Sequence, residues 1–261
     1  MDFKGKVMRY IEERLSEDGA LHFTLIDPDP LKMNVESSAK LARIAADCGT
    51  AAIMVGGSTA FGIIDDVVKT IKEHVPEIPV ILFPGNVNGI TRFSDAVFFM
   101  SLINSSDTYW IIEAQMLAAF NIKMCRIEPI SLAYIIVEPG GTAGYIGHAR
   151  VIPRNKPKIA AAFALAAEYI GYKMIYLEAG SGAESPIPPY FVRTVREAIT
   201  RPLIVGGGIR KIEQAIEIVK SGADIIVQGT FIEREKEKSI RKLKKIIEGI
   251  KNAAHERKIK K

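Results

Sequence analysis

Three apolar segments in the C-terminal third of the chain each stop at glycine, and no other feature constrains the fold as strongly. They end in Y-L-E-A-G-S-G at residues 176–182, in L-I-V-G-G-G-I-R at residues 203–210 and in I-I-V-Q-G-T at residues 225–230. Because glycine lacks a Cβ, backbone N–H groups at such ends approach a ligand closely and form an anion nest. The last strands of a (β/α)8 barrel build a phosphate site in this way. The pattern therefore predicts a barrel that binds a phosphorylated small molecule.

The rest of the chain fits the same architecture. Its 261 residues are close to the roughly 250 typical of one (β/α)8 barrel. Short apolar segments, typical of strands buried on both faces, alternate with helical patterns. We predict an α/β fold, a single (β/α)8 TIM-barrel domain over residues 1–261, with its phosphate site at the C-terminal ends of strands 6–8. The predicted strands are residues 21–27, 51–57, 79–85, 96–102, 133–139, 173–179, 202–207 and 224–229.

Helical periodicity completes the predicted barrel. A helix at residues 3–15 precedes the first strand and is expected to close the bottom of the barrel. Few residues separate the third and fourth strands, and they begin with P-G-N-V-N-G at 84–89, so we expect a loop in place of the third helix. The other predicted helices are residues 34–48, 107–120, 157–170, 189–199, 211–221 and 233–254.

The charge of the chain is unevenly distributed. The formal net charge is +5, yet from Lys236 onward Lys and Arg outnumber Asp and Glu by 11 to 3, and the other residues carry a small net negative charge. This basic C-terminal helix and tail indicate a solvated helix face or, alternatively, a peripheral contact with an anionic membrane. Since no nucleic-acid-binding motif accompanies it, we expect no nucleic-acid partner.

Cysteine content and the N-terminal sequence indicate where the protein resides. Cys48 and Cys125 are the only cysteines, which excludes a disulfide framework. The N-terminus is charged and amphipathic rather than typical of a signal peptide. No apolar segment reaches the roughly 20 residues that a membrane span needs. We therefore expect a soluble, cytoplasmic protein.

Oxygen ligands follow the first two predicted strands. Asp27 begins the motif D-P-D-P at the end of strand one, and Ser58 follows the glycines that end strand two. Catalytic groups of a barrel gather at the carboxyl ends of its strands, and Mg²⁺ prefers oxygen ligands that it shares with substrate phosphates. The alternative is that Asp27 or Asp29 only caps the following turn.

Glu178 is the one charged residue inside the first glycine-ended segment. A carboxylate in an apolar strand needs a partner or a cavity. It is a candidate base for a substrate hydroxyl, the alternative being an ion pair inside the barrel mouth. The four histidines form no ligand pair, and only His148, in the loop after strand five, is a candidate for ligand contact. No nucleophile elbow and no dinucleotide fingerprint is present.

The segment at residues 138–157, rich in glycine, proline and basic residues, follows strand five on the predicted catalytic face. Long loops in this position are often lids over the site. The alternative is an ordinary surface loop without a role in the site.

The motifs, taken together and in order, resemble one family. They read H-F-T-L-I-D-P-D-P, V-G-G-S-T, I-L-F-P-G-N, Y-I-I-V-E-P-G-G-T-A-G-Y-I-G, Y-L-E-A-G-S-G-A, L-I-V-G-G-G-I-R and A-D-I-I-V-Q-G-T between residues 22 and 230. This set is similar to the archaeal geranylgeranylglyceryl phosphate synthases, in particular to their second sequence group. The resemblance implies a prenyltransferase that joins sn-glycerol 1-phosphate to geranylgeranyl diphosphate with Mg²⁺, in the synthesis of archaeal ether lipids.

The resemblance also implies roles for individual residues. Asp27 and Ser58 match the metal positions, and Glu178 matches a position in the glycerol-phosphate site. Two departures stand out: Leu25 replaces a lysine found in other members, which makes Arg210 a candidate phosphate partner, and His148 stands where an acidic residue is expected. The residues matching the glycerol-phosphate site are Tyr176, Leu177, Glu178, Ala179, Gly180, Ser181, Gly182, Gly207, Gly208, Gly229 and Thr230.

Three further expectations follow from this chemistry. The basic loop at residues 150–158, with Arg154, is a candidate clamp for the departing diphosphate. A partly open groove should hold the prenyl chain, with Phe98, Phe99, Met100 and Tyr134 as candidate lining. The family forms dimers and hexamers, and the apolar helix at residues 107–120 suggests a homo-oligomer interface anchored by Trp110.

Three other functions remain open on the sequence. One is a heptaprenylglyceryl phosphate synthase with a longer groove. Another is a different phosphate-binding barrel enzyme, without metal dependence or an apolar groove. The third is a non-catalytic, membrane-associated scaffold.

Overall fold

The computed structural model describes residues 5–29, 33–57, 64–229 and 237–259, with the side chains of residues 237–239 left out. Its eight strands run parallel and close into a barrel, in which β1 pairs with both β2 and β8. The fold prediction is confirmed. The strands are β1 Leu21–Ile26, β2 Ala52–Val55, β3 Val80–Leu82, β4 Ala96–Leu102, β5 Glu128–Ile136, β6 Met174–Glu178, β7 Leu203–Gly206 and β8 Ile225–Gln228.

Helices surround this barrel. The helix predicted at 107–120 is a π-helical turn, Tyr109–Glu113, that continues into an α-helix reaching Cys125. After β3 a three-residue 3-10 turn, Val87–Gly89, stands in place of a helix, as predicted. The α-helices are α1 Lys6–Asp18, α2 Val35–Asp47, α3 Ile64–His74, α4 Ala114–Cys125, α5 Gly141–Ile146, α6 Pro157–Ile170, α7 Pro189–Ala198, α8 Ile212–Lys220 and α9 Glu237–Ile259.

Alternation along the strands divides the core into an interior and an outer layer. Side chains such as Phe23, Met54 and Phe98 fill the barrel interior, whereas Ile53 and Leu177 pack between the strands and the helices. Because both faces of each strand are buried, the strands read as nearly continuous apolar segments in the sequence.

Helix α1 closes the bottom of the barrel, as the sequence predicted. Val7, Met8 and Ile11 pack into the interior cluster. The backbone N–H groups of Val7 and Met8 donate to the buried carboxylate of Glu128, at 2.7 and 3.0 Å. A carboxylate at this position satisfies two N–H groups of the first helical turn and complements the helix dipole. Glu128 also begins β5, five residues earlier than predicted.

The basic helix α9 packs on the barrel through an apolar face that includes Leu243, Ile246 and Ile250. Near its end Arg257 donates to the carbonyls of Val219 and Ala223 and pairs with Asp224. Among the described residues no helix is long and apolar enough to cross a membrane.

Candidate active site

A cavity of about 1000 Å³ opens at the carboxyl ends of the strands. One region is bordered by the glycine turns after β6, β7 and β8, together with Glu178 and Asp27. The other is apolar and extends between β4 and helix α4. A polar pocket and an apolar channel thus form one continuous space.

The glycine turns pack against one another so closely that side chains are excluded. Gly207 has a φ of +84°, and a Cβ on it would lie 2.4 Å from Glu178 Oε1 and 2.8 Å from the nitrogen of Gly180. Gly208 has a φ of +71°, and its Cβ would lie 2.6 Å from the carbonyl oxygen of Ser185. Both positions need glycine for conformation and for space. The predicted phosphate site is therefore assembled as a set of interlocked backbone turns.

Glu178 lies at the end of β6, where its buried side chain borders the cavity. Its Oε1 accepts a hydrogen bond of 2.6 Å from the backbone N–H of Gly180, and the hydroxyl of Tyr176 donates to the same carboxylate. Burial raises the pKa of Glu178, and these two hydrogen bonds oppose the rise. A carboxylate with a raised pKa is a better proton acceptor than an ordinary one.

The predicted glycerol-phosphate residues divide by strand alternation. Leu177 and Ala179 are buried in the outer layer, so their side chains face the helices, and neither residue borders the cavity. Gly180 is packed between Gly207 and Gly140. Thr230 lies outside the described residues. The predicted residues that border the cavity are Tyr176, Glu178, Ser181, Gly182, Gly207, Gly208 and Gly229.

Asp27 follows β1 and borders the same cavity. A Cβ on Gly57 would lie 2.5 Å from Asp27 Oδ1, so the missing side chain leaves the space that this carboxylate occupies. Ser58, the second predicted metal ligand, lies outside the described residues. The described residues contain no cluster of three or more His, Cys, Asp or Glu side chains able to hold a metal. One carboxylate beside a phosphate pocket suits Mg²⁺, which binds through one or two carboxylates and takes further oxygens from substrate and water.

Aromatic rings form the floor of the cavity. Phe83, Tyr134 and Tyr176 lie 5.1–5.7 Å from one another, centroid to centroid. All four predicted lining residues border the cavity, namely Phe98, Phe99, Met100 and Tyr134. The apolar region is completed by residues that the sequence did not single out for it, including Val87, Ile90, Trp110, Ala114, Gln115, Ala118 and Ile122.

Proteins of known activity match this sequence over nearly its whole length. A sequence model described as the PcrB family matches residues 8–247. The chain belongs to the PcrB family. The geranylgeranylglyceryl phosphate synthase of Pyrococcus horikoshii is 55% identical over 250 residues, which cover 95% of this chain and 96% of that protein. The enzyme of the same name from Pyrococcus furiosus is 58% identical over 231 residues, covering 88% and 90%. The resemblance seen in the motifs is confirmed.

Solved structures related to this PcrB-family chain agree. The crystal structure of (S)-3-O-geranylgeranylglyceryl phosphate synthase from Thermoplasma acidophilum, in complex with its substrate sn-glycerol-1-phosphate, superposes with a TM-score of 0.86. It is 38% identical, and the match covers 93% of this chain and 98% of that one. A thiamine phosphate pyrophosphorylase from Pyrococcus furiosus, with a TM-score of 0.60 and 19% identity, shares the fold alone.

The segment after β5 forms a wall of the site in this PcrB-family protein. It contains α5, and Thr142, Ala143 and Ile146 of that helix border the cavity. The buried side chain of Asn104 binds both the backbone of Ile136 and the carbonyl of Arg150. The segment lies on the face of the barrel where the sequence placed it, and its role as a lid stays a prediction.

Arg154, predicted as a diphosphate clamp, does not border the cavity. Its guanidinium donates to the carbonyls of Glu138 and Pro186 and to both oxygens of Ser185, at 2.7–3.0 Å. Arg154 therefore joins the loops after β5 and β6, and the second of these loops supports Gly208. His148 is exposed, with Nδ1 3.4 Å from the carboxylate of Asp107, and does not border the cavity.

Two other residues differ from, or extend, the expectations. Trp110, predicted as an interface anchor, packs instead against the barrel interior and borders the apolar region of the cavity. Arg210 borders the polar region, and its Nη2 donates to the carbonyl of Gly182 at 2.9 Å. Arg210 thus supplies a positive charge beside the turns, and Leu25 borders the same cavity without a charge.

Proposed function

We propose that this PcrB-family protein transfers a geranylgeranyl group from geranylgeranyl diphosphate to the 3-hydroxyl of sn-glycerol 1-phosphate. The observation that carries the proposal is the single cavity, in which glycine turns and a buried carboxylate adjoin an apolar channel. The related synthase from Thermoplasma acidophilum holds sn-glycerol-1-phosphate as its substrate, and the curated relatives have the same activity in their names. A phosphate-binding isomerase or lyase would have no use for the apolar channel.

Backbone N–H groups of the glycine turns bind the phosphate of the acceptor in this mechanism. The turn containing Gly207 and Gly208 forms an anion nest, and Arg210 adds a positive charge beside it. Phosphate bound here places the glycerol chain beside Glu178. The acceptor is thereby held with one hydroxyl directed at the reacting carbon, which removes much of the entropic barrier.

The bonds that break and form in the transfer account for all atoms and electrons, so no redox partner is needed. The bond between C1 of the prenyl chain and the diphosphate oxygen breaks, and its electron pair leaves with the diphosphate. The glycerol 3-oxygen forms the new ether bond to C1, and its proton passes to Glu178. The rings of Phe83, Tyr134 and Tyr176 present π faces that stabilise the developing allylic cation.

Asp27 is the proposed Mg²⁺ ligand, together with Ser58. When bound, the ion supplies charge neutralisation of the leaving diphosphate. Asp27 follows β1, which pairs with β8, so the diphosphate end of the prenyl donor would be held beside the glycine turns.

The outer face of helix α4 is the proposed contact between copies of this chain. Together with the π-helical turn before it, this face has apolar side chains about one turn apart that are 57–82% exposed: Ile112, Met116, Leu117, Phe120 and Met124. A contiguous apolar stripe of this kind is typical of a protein interface. We propose a homo-oligomer through this face, for which light scattering of the wild type and of Phe120→Glu is the test. A monomeric wild type would contradict it.

A transfer assay tests the proposed reaction. Labelled sn-glycerol 1-phosphate, Mg²⁺ and prenyl diphosphates from C10 to C35 are incubated with the protein, and label extracted into organic solvent is counted. We expect a maximum at C20, lost with EDTA and in Asp27→Ala. Asp65→Ala, which removes an exposed carboxylate at the start of α3, is the matched control and should remain active. A maximum at C35 would assign the heptaprenyl activity instead, and no transfer with any donor would refute the proposal.

A further inference from the structure

A chain of buried polar side chains lies behind the glycine turn that follows β7. It consists of Thr24, His22, Thr50 and Gln228, all at most 3% exposed. Their neighbours Phe23 and Val227 belong to the barrel interior. Strand alternation therefore places His22, Thr24 and Gln228 on the helix-facing side of β1 and β8. Although Gln228 borders the cavity at the end of β8, its amide faces the outer layer.

The direction of the hydrogen bonds along these four polar side chains is fixed at the Gln228 end. Gln228 Nε2 donates to the carbonyl oxygen of Ile209 at 2.8 Å. A carbonyl can only accept, so the NH₂ group of Gln228 must face Ile209 and its Oε1 must face His22. Because His22 Nε2 lies 3.0 Å from that Oε1, Nε2 must carry a proton.

The other ring nitrogen of His22 then accepts. Burial lowers the pKa of His22 to about 4, partly offset by its hydrogen bond to Gln228, so the ring is neutral at physiological pH and has one N–H. We assign this proton to Nε2, so Nδ1 can only accept. The one proton of the Thr50 hydroxyl has two acceptors at 3.0 Å, His22 Nδ1 and the backbone carbonyl of His22. The Thr24 hydroxyl donates to Thr50 at 3.2 Å. The hydrogen bonds from His22 through Gln228 thus run in one direction, toward Ile209.

The peptide unit to which Gln228 donates belongs to the glycine turn after β7, the proposed phosphate-binding turn. Ile209 follows Gly207 and Gly208, whose left-handed conformations direct the turn toward the cavity. The carbonyl of Ile209 is held by Gln228, and the next N–H, that of Arg210, donates to Gln214 Oε1 at 2.8 Å. One peptide plane is therefore held at both ends by glutamine side chains.

We propose that His22 and Gln228 are positioning residues for the glycerol-phosphate site. His22 fixes the orientation of the Gln228 amide, and Gln228 fixes the Ile209 peptide and with it the glycine turn that binds the phosphate. This inference rests on the proposed function, since it assumes that the turn binds the phosphate of sn-glycerol 1-phosphate.

Side-chain geometry provides a matched pair of variants at His22. The amide nitrogen of glutamine reaches the position of histidine Nε2, whereas that of asparagine reaches only the position of Nδ1. His22→Gln keeps a donor toward Gln228, and His22→Asn removes it. Gln228→Met keeps the size of the side chain and removes both hydrogen bonds. Glu128→Ala is the control, because it removes a buried group at the opposite end of the barrel.

The test measures sn-glycerol 1-phosphate binding by calorimetry and the KM of each substrate in the transfer assay. We expect His22→Asn and Gln228→Met to weaken glycerol-phosphate binding on the order of five- to tenfold, the range of one hydrogen bond, with an unchanged KM for the prenyl diphosphate. His22→Gln should bind like the wild type. Glu128→Ala should lower Tm without changing binding, which separates lost stability from lost positioning.

Each remaining outcome would overturn the proposal. If the wild type binds and Gln228→Met binds equally well, the positioning role is wrong while the proposed function stands. Equal changes in both KM values would indicate general damage to the barrel. If His22→Asn does not fold, Gln228→Met alone decides, and wild-type binding by that variant overturns the proposal. A wild type that does not bind sn-glycerol 1-phosphate would refute both this inference and the proposed function.

Discussion

Replacing Glu178 with glutamine separates the chemical role of this residue from its structural one. Glutamine has nearly the same shape, and its Oε1 can still accept the 2.6 Å hydrogen bond from Gly180. The packing around Gly207, which leaves no space for even a Cβ beside Glu178, is preserved. What Glu178→Gln removes is the charge and the ability to take a proton.

The expected loss of activity follows from the proposed role as a base. General base catalysis contributes about 10²–10⁴-fold, which corresponds to about 3–5 kcal/mol of the activation barrier. Since the phosphate contacts are untouched, the decrease should appear in kcat, with the KM for sn-glycerol 1-phosphate little changed. Because burial raises the pKa of Glu178, wild-type activity should fall on the acid side at a higher pH than an ordinary carboxylate would cause.

Stability should change in the opposite direction to activity. A raised pKa means that the folded protein keeps the Glu178 proton to a higher pH than the unfolded chain does. The stability contributed by that proton is complete below the pKa of the unfolded carboxyl and is lost as the pH rises through the folded pKa. Glu178→Gln avoids this loss, so its Tm should exceed that of the wild type at pH 8 and approach it under acidic conditions.

Kinetics and thermal melts at pH 5 and pH 8 measure both effects. A variant with wild-type kcat would refute the role of Glu178 as the base. A variant less stable than the wild type at pH 8 would refute the conclusion that the buried charge costs stability.

Two other substitutions address the neighbours of the site. In Gly57→Ala the new Cβ would lie 2.5 Å from the Asp27 carboxylate and displace it, so transfer should fall by about 10²-fold, the cost of a misplacement of about 1 Å, with a higher Mg²⁺ requirement in a metal titration. A wild-type response to Mg²⁺ would contradict the metal role of Asp27. Arg154→Ala removes the side-chain hydrogen bonds that join two loops and should lower the free energy of unfolding by about 2–3 kcal/mol, measured by denaturant titration. The KM for the prenyl diphosphate should not change, and a large rise would restore the clamp that the sequence suggested.

The architecture could be predicted because its determinants are local. Strands buried on both faces read as apolar segments, and the close packing around Gly207 and Gly208 needs glycine in the sequence itself. The same locality explains the missing third helix, since too few residues separate β3 from β4. Their positions near strand ends, and then the resemblance to the family, directed attention to Asp27 and Glu178, both of which border the cavity.

Features that depend on distant contacts could not be predicted. The start of β5 was missed because Glu128 is polar, and only the N–H groups of α1 explain its burial. Trp110 is apolar whether it faces a partner or the cavity, so periodicity does not distinguish the two. The partners of Arg154 lie 31 and 32 residues away in the chain at Ser185 and Pro186. The polar chain ending at Gln228 likewise joins the first and last strands.

A structure of the protein with sn-glycerol 1-phosphate and a non-reactive prenyl thiodiphosphate tests the central claim most directly. The account predicts the phosphate on the backbone N–H groups around Gly207 and Gly208, the 3-hydroxyl about 3 Å from Glu178, and the prenyl chain in the apolar region beneath α4. A phosphate bound away from the glycine turns, or a prenyl chain outside that region, would contradict it.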